Sequence, residues 1–326
     1  MEKTKPILLT GAAGFIASHT ARLLLQQGHQ VVGLDNYDDY YDVRIKHLRI
    51  AELSKNPNFN FIEGNIEDEV LLKEIFSKNQ FAAVINLGAR AGVRNSILYP
   101  KKYFNTNTLG TLNLLNVMLE FGVKKFVLAS TSSLYSGQEM PYREDIAGNC
   151  PLSPYAASKK AAEVTCYSYK HLHGFDVSIL RYFTVYGPSG RPDMAIFRFI
   201  KWIDEGKPIQ LFGDGLHSRD FTYVDDIANG TVLALKQVGY EVMNLGGGNK
   251  PITMNEIITM LEKLVGKKAI VSQLPAHNAD MKSTWADISK AKELLGWAPK
   301  ISLHDGLERT VKWYFENQKF IKDLKV

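Results

Sequence analysis

Residues 6–17, Pro-Ile-Leu-Leu-Thr-Gly-Ala-Ala-Gly-Phe-Ile-Ala, decide the fold that the sequence predicts. A short apolar run ends at Thr10, a glycine-rich turn follows at once, and an apolar-periodic segment then continues to Gly28. Strand, glycine turn and helix in immediate succession are the setting of a dinucleotide-binding fingerprint. Gly11 permits the tight turn, and Gly14 lets the backbone approach a pyrophosphate at the helix N-terminus. The spacing alone is also compatible with an ordinary glycine turn.

An acidic residue downstream of the glycines supports the dinucleotide interpretation. The next apolar run, residues 30–34, ends in Asp35. A carboxylate about twenty residues beyond the glycines accepts hydrogen bonds from both ribose hydroxyls and repels a 2′-phosphate, so it selects NAD over NADP. Arg44 and Lys46 follow nearby and can soften this discrimination. The sequence therefore predicts NAD as the cofactor.

Strand-like and helix-like segments alternate along the first half of the chain. Further strands are predicted at 59–62, 82–87, 125–129 and 178–182, and helices from about residue 69 and over about 99–122. This alternation predicts an α/β fold with a doubly wound, parallel, Rossmann-type sheet. Ligands of such sheets bind beyond the carboxyl ends of the strands. This rule predicts that one rim of the sheet carries Gly11, Asp35, Gly88, Arg94 and Thr131.

The composition changes after residue 181, where residues 186–192 form a loop rich in proline and glycine. Helices are predicted near 194–205, 225–236, 253–265, 288–295 and 303–317, and strands near 208–212 and 241–245. This region has no second nucleotide fingerprint. We expect residues 1–181 to form an NAD-binding Rossmann domain, and we expect the chain to return to this domain over residues 222–247. We expect a smaller, mixed α/β substrate-binding domain over 182–221 and 248–326.

The composition argues against several functional classes. The chain has 326 residues, of which 45% are apolar, and a net charge of +5 from scattered basic residues, which favours a globular protein with no nucleic-acid partner. No apolar run approaches the roughly 18 residues of a membrane span. Cys150 and Cys166 lack metal-ligand spacing and fit a reducing compartment. We therefore expect a cytoplasmic protein without a metal. The acidic residues Asp38, Asp39 and Asp42 are interpreted as part of a solvated loop.

The stretch Tyr155-Ala-Ala-Ser-Lys159 places a phenol and an ammonium one helical turn apart. A nearby ammonium stabilises the phenolate and lowers its pKa, which makes the tyrosine a usable base near neutral pH. The motif is weak by itself, because both residues are common on helices. Four consecutive hydroxyl residues, 130–133, precede it at the end of a predicted strand. These hydroxyls either bind a substrate alcohol or cap the turn.

Several motifs occur in one order along nearly the whole chain. They are Thr10–Ile16, Ser130–Ser133, Tyr155–Lys159, and Gly213-Asp214-Gly215 followed by Arg219–Asp226. Together they resemble the extended short-chain dehydrogenases/reductases that act on nucleotide sugars. Within that family, the stretches 181–188 (RYFTVYGP) and 191–195 (RPDMA) are most similar to the UDP-glucuronate 4-epimerases.

The resemblance implies a reaction, a cofactor and an assembly. The reaction is the NAD-dependent 4-epimerisation of UDP-glucuronate to UDP-galacturonate. Tyr155, assisted by Lys159, would remove the proton of the sugar 4-hydroxyl, and Thr131 would hydrogen-bond the C4 oxygen. Hydride would pass to NAD and return to the other face of a 4-keto sugar, so NAD is regenerated. A homodimer would form through the helices near Asn107 and Tyr155.

The same resemblance assigns contacts to the remaining site residues. Cofactor contacts are expected at Gly11, Gly14, Phe15, Ile16, Asp35, Asn36, Asn65, Ile66, Leu87, Gly88, Ala89, Asn107, Tyr155 and Lys159. Contacts with the UDP-sugar are expected at Ser132, Ser133, Arg94, Thr184, Arg191, Arg219 and Asp280. Of these, Arg219 is the expected phosphate contact and Asp280 a contact of the uridine ribose.

A few positions discriminate among related enzymes. UDP-glucuronate decarboxylases carry Glu where Ser133 stands, 4,6-dehydratases carry an Asp-Glu pair near Ser132 and Ser133, and epimerases of neutral sugars commonly carry Asn at Thr184. The hydroxyl of Thr184 and the guanidinium of Arg191 can bind a C5 carboxylate. Alternatively, Arg191 pairs with a nearby acid such as Asp193. The other functions considered are a 4-epimerase of neutral UDP-hexoses, a UDP-glucuronate decarboxylase and a non-catalytic NAD-binding protein.

Overall fold

The computed structural model describes residues 5–276 and 281–326, and its largest feature is a seven-stranded sheet. The strands are β1 (Ile7–Thr10), β2 (Val31–Asp35), β3 (Phe59–Glu63), β4 (Ala83–Asn86), β5 (Lys125–Thr131), β6 (Asp176–Tyr182), β7 (Thr184–Tyr186), β8 (Ile209–Phe212), β9 (Ser218–Arg219), β10 (Phe221–Tyr223), β11 (Tyr240–Leu245), β12 (Ile252–Thr253) and β13 (Val271–Leu274). The large sheet has the order β11-β6-β5-β4-β1-β2-β3, and each of its pairings is parallel. The predicted α/β class and parallel sheet are confirmed.

Helices cover both faces of this sheet. The helices are α1 (Phe15–Gln26), α2 (Arg44–Leu53), α3 (Glu69–Lys78), α4 (Val93–Leu98), α5 (Pro100–Tyr103), α6 (Gly110–Glu120), α7 (Pro154–His173), α8 (Ala195–Glu205), α9 (Val224–Leu233), α10 (Met254–Val265), α11 (Ser289–Leu295), α12 (Leu303–Glu316) and α13 (Gln318–Ile321). Leu9 packs in a core with α1, α9 and α11, whereas its neighbour Leu8 packs in a second core with α3, α6 and α7. Successive strand residues point to opposite faces, so each strand needs an apolar residue at nearly every position.

The helix predicted over about residues 99–122 is interrupted in the structure. A π-helical turn at Phe104–Leu109 separates α5 from α6. Such turns are frequent at functional sites because they re-aim side chains. Here the buried amide of Asn107 bonds both the backbone N and O of Arg90, at 2.8 and 3.0 Å, and Ser158 Oγ at 2.9 Å. Apolar periodicity could not reveal this insertion, because it changes the hydrogen-bond pattern without removing the helix.

Helix α7 carries the Tyr-x-x-x-Lys motif past the carboxyl end of β5. The hydroxyl of Ser153 caps its first turn by accepting from the amide of Ala156, and Pro154 occupies the first helical position. Gly174, at φ 66°, ends the helix in a left-handed conformation that glycine adopts without strain. The motif therefore lies in the first two turns of a helix whose start is fixed by local sequence.

The second half of the chain builds its own apolar core. Helices α8, α10 and α12 contribute Ile200, Ile257 and Leu307 to this core. Three two-stranded sheets lie beside it: β7 pairs with β10 and β8 with β13 in parallel, and β9 pairs with β12 in antiparallel orientation. Among the described residues, no helix is long and apolar enough to cross a membrane.

Candidate active site

The carboxyl ends of β1, β2, β4, β5 and β6 open into one cleft of about 510 Å³. Most of the predicted site residues line this cleft. They are Gly11, Gly14, Phe15, Ile16, Asp35, Asn36, Asn65, Ile66, Leu87, Gly88, Ala89, Thr131, Ser132, Ser133, Tyr155, Lys159, Thr184, Arg191 and Arg219. The sheet thus brings together residues that lie far apart in the sequence, as the rule for ligands of parallel sheets requires.

The glycine turn between β1 and α1 leaves no room for side chains. Gly11 has φ +69°, and a Cβ there would lie 2.7 Å from the amide nitrogen of Gly88 and 2.8 Å from the carbonyl of Leu87. A Cβ on Gly14 would lie 2.8 Å from the carbonyl oxygen of Gly11. The turn therefore packs directly against the residues that follow β4, and the free amides and helix dipole at the start of α1 favour an anion. This arrangement fits a dinucleotide pyrophosphate.

The carboxylate of Asp35 lies at the end of β2 and is 8% exposed. Its oxygens accept hydrogen bonds from the backbone amides of Ala13 at 3.1 Å and Tyr37 at 2.8 Å, and each keeps a lone pair for a ribose hydroxyl. Of the two cations noted in the sequence, Arg44 pairs with Asp42, whereas Lys46 lines the cleft with Nζ 3.8 Å from Asp35. The residues present fit NAD, and Lys46 reduces the repulsion that Asp35 exerts on a 2′-phosphate.

The phenol of Tyr155 lies beside Thr131 and within the field of Arg191. Burial raises the pKa of Tyr155, while a hydrogen bond with the Thr131 side chain and the positive charge of Arg191 lower it. Burial is the largest of these effects, and the predicted lowering of this pKa by Lys159 stays a prediction. Thr131 and Arg191 therefore favour the phenolate, and the cationic ring of a nicotinamide would do the same when NAD is bound.

The side chain of Lys159, one helical turn after Tyr155, is buried. It donates a hydrogen bond to the carbonyl oxygen of Ala129 at 3.0 Å. Burial lowers the pKa of Lys159 to about 8, and the charge of Glu163 opposes this effect. Glu163 is itself held by a bidentate pair with Arg181 and by the hydroxyl of Ser130, at 2.6 to 2.9 Å. Lys159 therefore titrates close to physiological pH.

A second polar cluster surrounds Arg191 on the substrate side of the cleft. Its Nε and Nη2 donate to the two carboxylate oxygens of Asp193, at 3.0 and 2.6 Å. The guanidinium carbon lies 5.4 Å from the ring centre of Tyr40 and 5.5 Å from that of Tyr41. The pairing with Asp193 that the sequence left open is present, and the same guanidinium also lines the cleft with Thr184. Arg191 is thus a fixed cation on the cleft wall, and its side chain also hydrogen-bonds that of Tyr40.

Two of the predicted site residues that the structure describes are not among those that line the cleft. Arg94, in α4, places its guanidinium carbon 3.9 Å from the ring centre of Phe212. Asn107 acts through the backbone of Arg90 and through Ser158 rather than from the cleft wall. Asp280 lies outside the described residues, and its predicted contact with the uridine ribose stays a prediction.

The structure adds residues that the sequence interpretation missed. The acidic loop after β2 is not simply solvated, because Asp38 pairs with Arg90 and both line the cleft. Tyr40 and Tyr41 reach the cleft from the same loop. Two consecutive tyrosines, beginning five residues after Asp35, were the available signal in the sequence. The wall is completed from distant segments by Phe183, Asp193, Met194, Met281 and Thr284.

Comparison with protein families agrees with this geometry. The chain belongs to the NAD dependent epimerase/dehydratase family, whose family model matches residues 7–246. That range begins with β1 and ends just after β11, so it contains the whole large sheet.

Individual relatives cover almost the full chain. A UDP-glucuronate 4-epimerase of Thermodesulfobacterium geofontis (strain OPF15) is 57% identical over 319 residues, which are 98% of this chain and 99% of the relative. The crystal structure of a Bacillus cereus UDP-glucuronic acid 4-epimerase in complex with UDP-glucuronic acid and NAD is 40% identical, with TM-score 0.89 and coverage of 95% and 99%. A Thermotoga maritima UDP-glucose 4-epimerase with UDP-glucose is 33% identical, with TM-score 0.89 and coverage of 96% and 99%.

Proposed function

We propose that the protein is an NAD-dependent UDP-glucuronate 4-epimerase, which converts UDP-glucuronate to UDP-galacturonate through a 4-keto sugar. The observation that carries this proposal is the presence in one cleft of the Tyr155 phenol and the Arg191 guanidinium. A phenol beside a hydroxyl is suited to removing the proton of an alcohol, and a guanidinium to binding a carboxylate. Together they select a sugar acid that reacts at a hydroxyl. The similarity to the 4-epimerases of T. geofontis and B. cereus supports the same substrate.

The residues of the cleft divide the work of the reaction. Tyr155 removes the proton of the 4-hydroxyl, Thr131 hydrogen-bonds the C4 oxygen, and the charge of Lys159 favours the phenolate. Bound NAD would take the hydrogen from C4 and return it to the opposite face, so that it is not consumed. Arg219 and the glycine-lined rim hold the phosphates of substrate and cofactor respectively. The 4-keto sugar turns over while its UDP group stays anchored.

The substrate carboxylate creates a competing reaction. Oxidation at C4 makes the sugar a β-keto acid, in which the C5–C6 bond breaks when it aligns with the carbonyl π system. Its electron pair then enters the C4 enolate, carbon dioxide leaves, and C5 takes up a proton. Thr184 and Arg191 hold the carboxylate out of this alignment. Ser133 offers no acid or base for the competing path, where decarboxylases carry Glu.

The test is to incubate the purified protein, without added cofactor, with UDP-glucuronate, UDP-glucose or UDP-N-acetylglucosamine and to identify the products by NMR. UDP-galacturonate alone, formed from UDP-glucuronate, is the expected result. A UDP-pentose with carbon dioxide would identify a decarboxylase instead. Turnover restricted to the neutral sugars would identify an epimerase like the relative from T. maritima.

We propose the division of the chain that the sequence suggests, with residues 1–181 and 222–247 for the cofactor and 182–221 and 248–326 for the UDP-sugar. In support, β11 lies beside β6 at the edge of the large sheet, and α8, α10 and α12 share a core of their own. We also place the protein in the cytoplasm. Cys150 and Cys166 are both free thiols, as expected in a reducing compartment.

We further propose a homodimer through the segment from α4 to α6 and through α7, which pack against each other. These helices expose several large apolar side chains: Leu98, Leu109, Val164, Tyr167 and Leu172. Leu98 is 71% and Leu172 69% exposed, which is unusual for residues so apolar on helices that pack side by side. Light scattering should give twice the mass of the 36.6 kDa chain. The double variant Leu109→Asp and Tyr167→Asp should give the monomer mass, and a monomeric wild type would contradict the dimer.

A further inference from the structure

We propose that Arg49 is a positioning residue that fixes the loop at residues 187–191, and with it Arg191, against the glycine turn that binds the cofactor. The consequence is that Arg49 protects the 4-keto intermediate from decarboxylation without touching the substrate. This inference rests on the proposed function, because it concerns the orientation of the substrate carboxylate.

Arg49 lies in α2 and is only 4% exposed. Within residues 5–276 and 281–326, its guanidinium forms no ion pair. Instead it donates hydrogen bonds to uncharged oxygens from three segments. The acceptors are Ala13 O at 2.9 Å, Tyr41 Oη at 2.9 Å, Ser189 O at 2.6 Å and Gly190 O at 3.3 Å. A buried charge without a counter-ion is costly unless hydrogen bonds compensate it, so these carbonyls are held firmly in place.

The contacts of Arg49 join the two halves of the cleft. Ala13 belongs to the glycine turn after β1, whereas Ser189 and Gly190 directly precede Arg191. Ser189 has φ +54°, a left-handed conformation that a residue with a side chain adopts only when its surroundings enforce it. Arg49 supplies that constraint, because both Nε and Nη2 donate to the carbonyl of Ser189, at 3.2 and 2.6 Å.

Arg49 also reaches Arg191 through a second route. The hydroxyl of Tyr41 accepts from Arg49 Nη1, and the ring of Tyr41 lies 5.5 Å from the Arg191 guanidinium carbon. Backbone and ring thus fix Arg191 from two sides. A further contact, from His19 Nε2 to Pro188 O at 3.1 Å, fastens only the beginning of the loop. Among the residues that the structure describes, only Arg49 links Ser189 and Gly190 to the glycine turn by hydrogen bonds.

The orientation of the carboxylate decides between the two products. A small change of the ring conformation, which is a rotation about the C4–C5 bond, brings the C5–C6 bond into line with the C4 carbonyl π system. The electron pair of the bond then enters the enolate, carbon dioxide leaves and C5 is protonated; return of the C4 hydrogen from the reduced cofactor completes a UDP-pentose. A loosened Arg191 permits this rotation while leaving the phenol and the hydroxyls in place.

The experiment measures UDP-pentose formed per UDP-galacturonate in wild type and in Arg49→Met, with saturating NAD. Calorimetry then gives the dissociation constants of UDP-glucuronate and of UDP for the NAD-loaded proteins. The matched control is Lys201→Met. Lys201 is also a buried cation that donates to backbone carbonyls, those of Ile321 and Lys322 at 2.9 and 2.8 Å, but it lies outside the cleft.

In Arg49→Met we expect UDP-pentose to reach at least about ten times the detection limit or any trace that wild type forms, and the dissociation constant of UDP-glucuronate to rise about tenfold, since small misplacements of a positioning group have effects of this size or more. The dissociation constant of UDP should stay within about twofold, as for independent sites. Lys201→Met should lose thermal stability with an unchanged product ratio. An unchanged ratio in Arg49→Met, or an equal rise in the control, overturns the proposal.

Two milder variants keep the test decisive if Arg49→Met does not fold. Arg49→Lys keeps the charge but not the five-donor fork, and Tyr41→Phe keeps the ring but loses the acceptor. Both should raise the pentose fraction to intermediate values, and no change in either overturns the proposal. If wild type does not turn over UDP-glucuronate at all, the proposed function fails instead, which the product analysis shows before any variant is made.

Discussion

The glycine turn after β1, where we propose that the cofactor binds, and the surroundings of Arg191, where we propose that the substrate carboxylate binds, are built in different ways. We call them the cofactor side and the carboxylate side of the cleft. On the cofactor side, the absence of side chains is what matters, since a Cβ on Gly11 or Gly14 would meet backbone atoms within 2.8 Å. On the carboxylate side, Arg191 is held by the side chains of Asp193, Tyr40 and Tyr41. One side is a local turn, and the other is an assembly of segments distant in sequence.

The difference follows from what each side binds. A pyrophosphate is bound by backbone amides at a helix start, which need close approach and little else. A substrate carboxylate needs a charged partner in a low-dielectric cleft, and that charge must itself be compensated and oriented. A substitution on the cofactor side should therefore weaken NAD binding, whereas one on the carboxylate side should weaken the binding of UDP-glucuronate.

The largest effect is expected where the two sides meet, at Tyr155. Tyr155→Phe removes the proton acceptor and should lower kcat by about a thousandfold, a typical loss for a general base. Both NAD and UDP-glucuronate should still bind, as calorimetry would show. The control is Tyr103→Phe, whose ring packs edge-on against Tyr155 at 6.1 Å. A loss of less than about tenfold in Tyr155→Phe, matching the control, would remove the phenol from the mechanism.

Arg191→Lys should damage the carboxylate side alone. Lysine keeps the charge but cannot bind Asp193 and a substrate carboxylate through one planar fork. We expect KM for UDP-glucuronate to rise roughly tenfold to a hundredfold, the equivalent of one charge-assisted hydrogen bond, with NAD affinity unchanged. Arg143→Lys is the matched control, because Arg143 forms an exposed pair with Asp145 at the same spacing of two residues. A parallel loss of NAD affinity would contradict the separation of the two sides.

Gly11→Ala should damage the cofactor side alone. The φ of +69° strains any residue with a Cβ, and the Cβ also meets Gly88 at 2.7 Å. We expect a loss of about 1–3 kcal/mol in the free energy of unfolding, measured in urea, together with weaker NAD binding. The control is Gly28→Ala. Gly28 also has a positive φ, of +82°, but no atom lies within 4 Å of the added Cβ. Gly28→Ala should therefore lose less stability than Gly11→Ala and should keep its NAD affinity. Equal losses in the two variants would show that the contact between the added Cβ and Gly88 is unimportant.

The smallest effect concerns pH. With the pKa of Lys159 lowered to about 8 and that of Tyr155 raised, the active state needs a deprotonated phenol and a charged lysine. As pH rises, kcat/KM should increase with the phenolate and then level off near pH 8, where Lys159 loses its charge. At that pH the rate should be about half of the extrapolated value. In Lys159→Arg the cation persists, so the increase should continue past pH 8, although from a lower activity. If kcat/KM of Lys159→Arg also levelled off near pH 8, a group other than Lys159 would be responsible for the plateau.

Prediction from sequence succeeded best where a signal is local. The glycine turn, Asp35 and the Tyr-x-x-x-Lys spacing each follow from neighbouring residues, and all of them line the cleft. The π-helical turn around Asn107 was missed, because it alters hydrogen bonding without disturbing the apolar pattern. The loop after β2 was interpreted as solvated, since its charges gave no sign that Asp38 would pair with Arg90, 52 residues away.

The sequence by itself determined the fold class, the cofactor turn and the residues able to perform proton transfer, because these depend on periodicity, backbone freedom and helix spacing. Only the tertiary structure decided how those residues behave. It partly buried Tyr155, which raises the pKa of the phenol, aimed Lys159 at a backbone carbonyl, and surrounded Arg191 with Asp193 and two tyrosine rings. Such properties depend on burial and on contacts between distant segments. Arg49, which no motif marks, shows this most clearly, since its importance lies wholly in which carbonyls the fold brings to it.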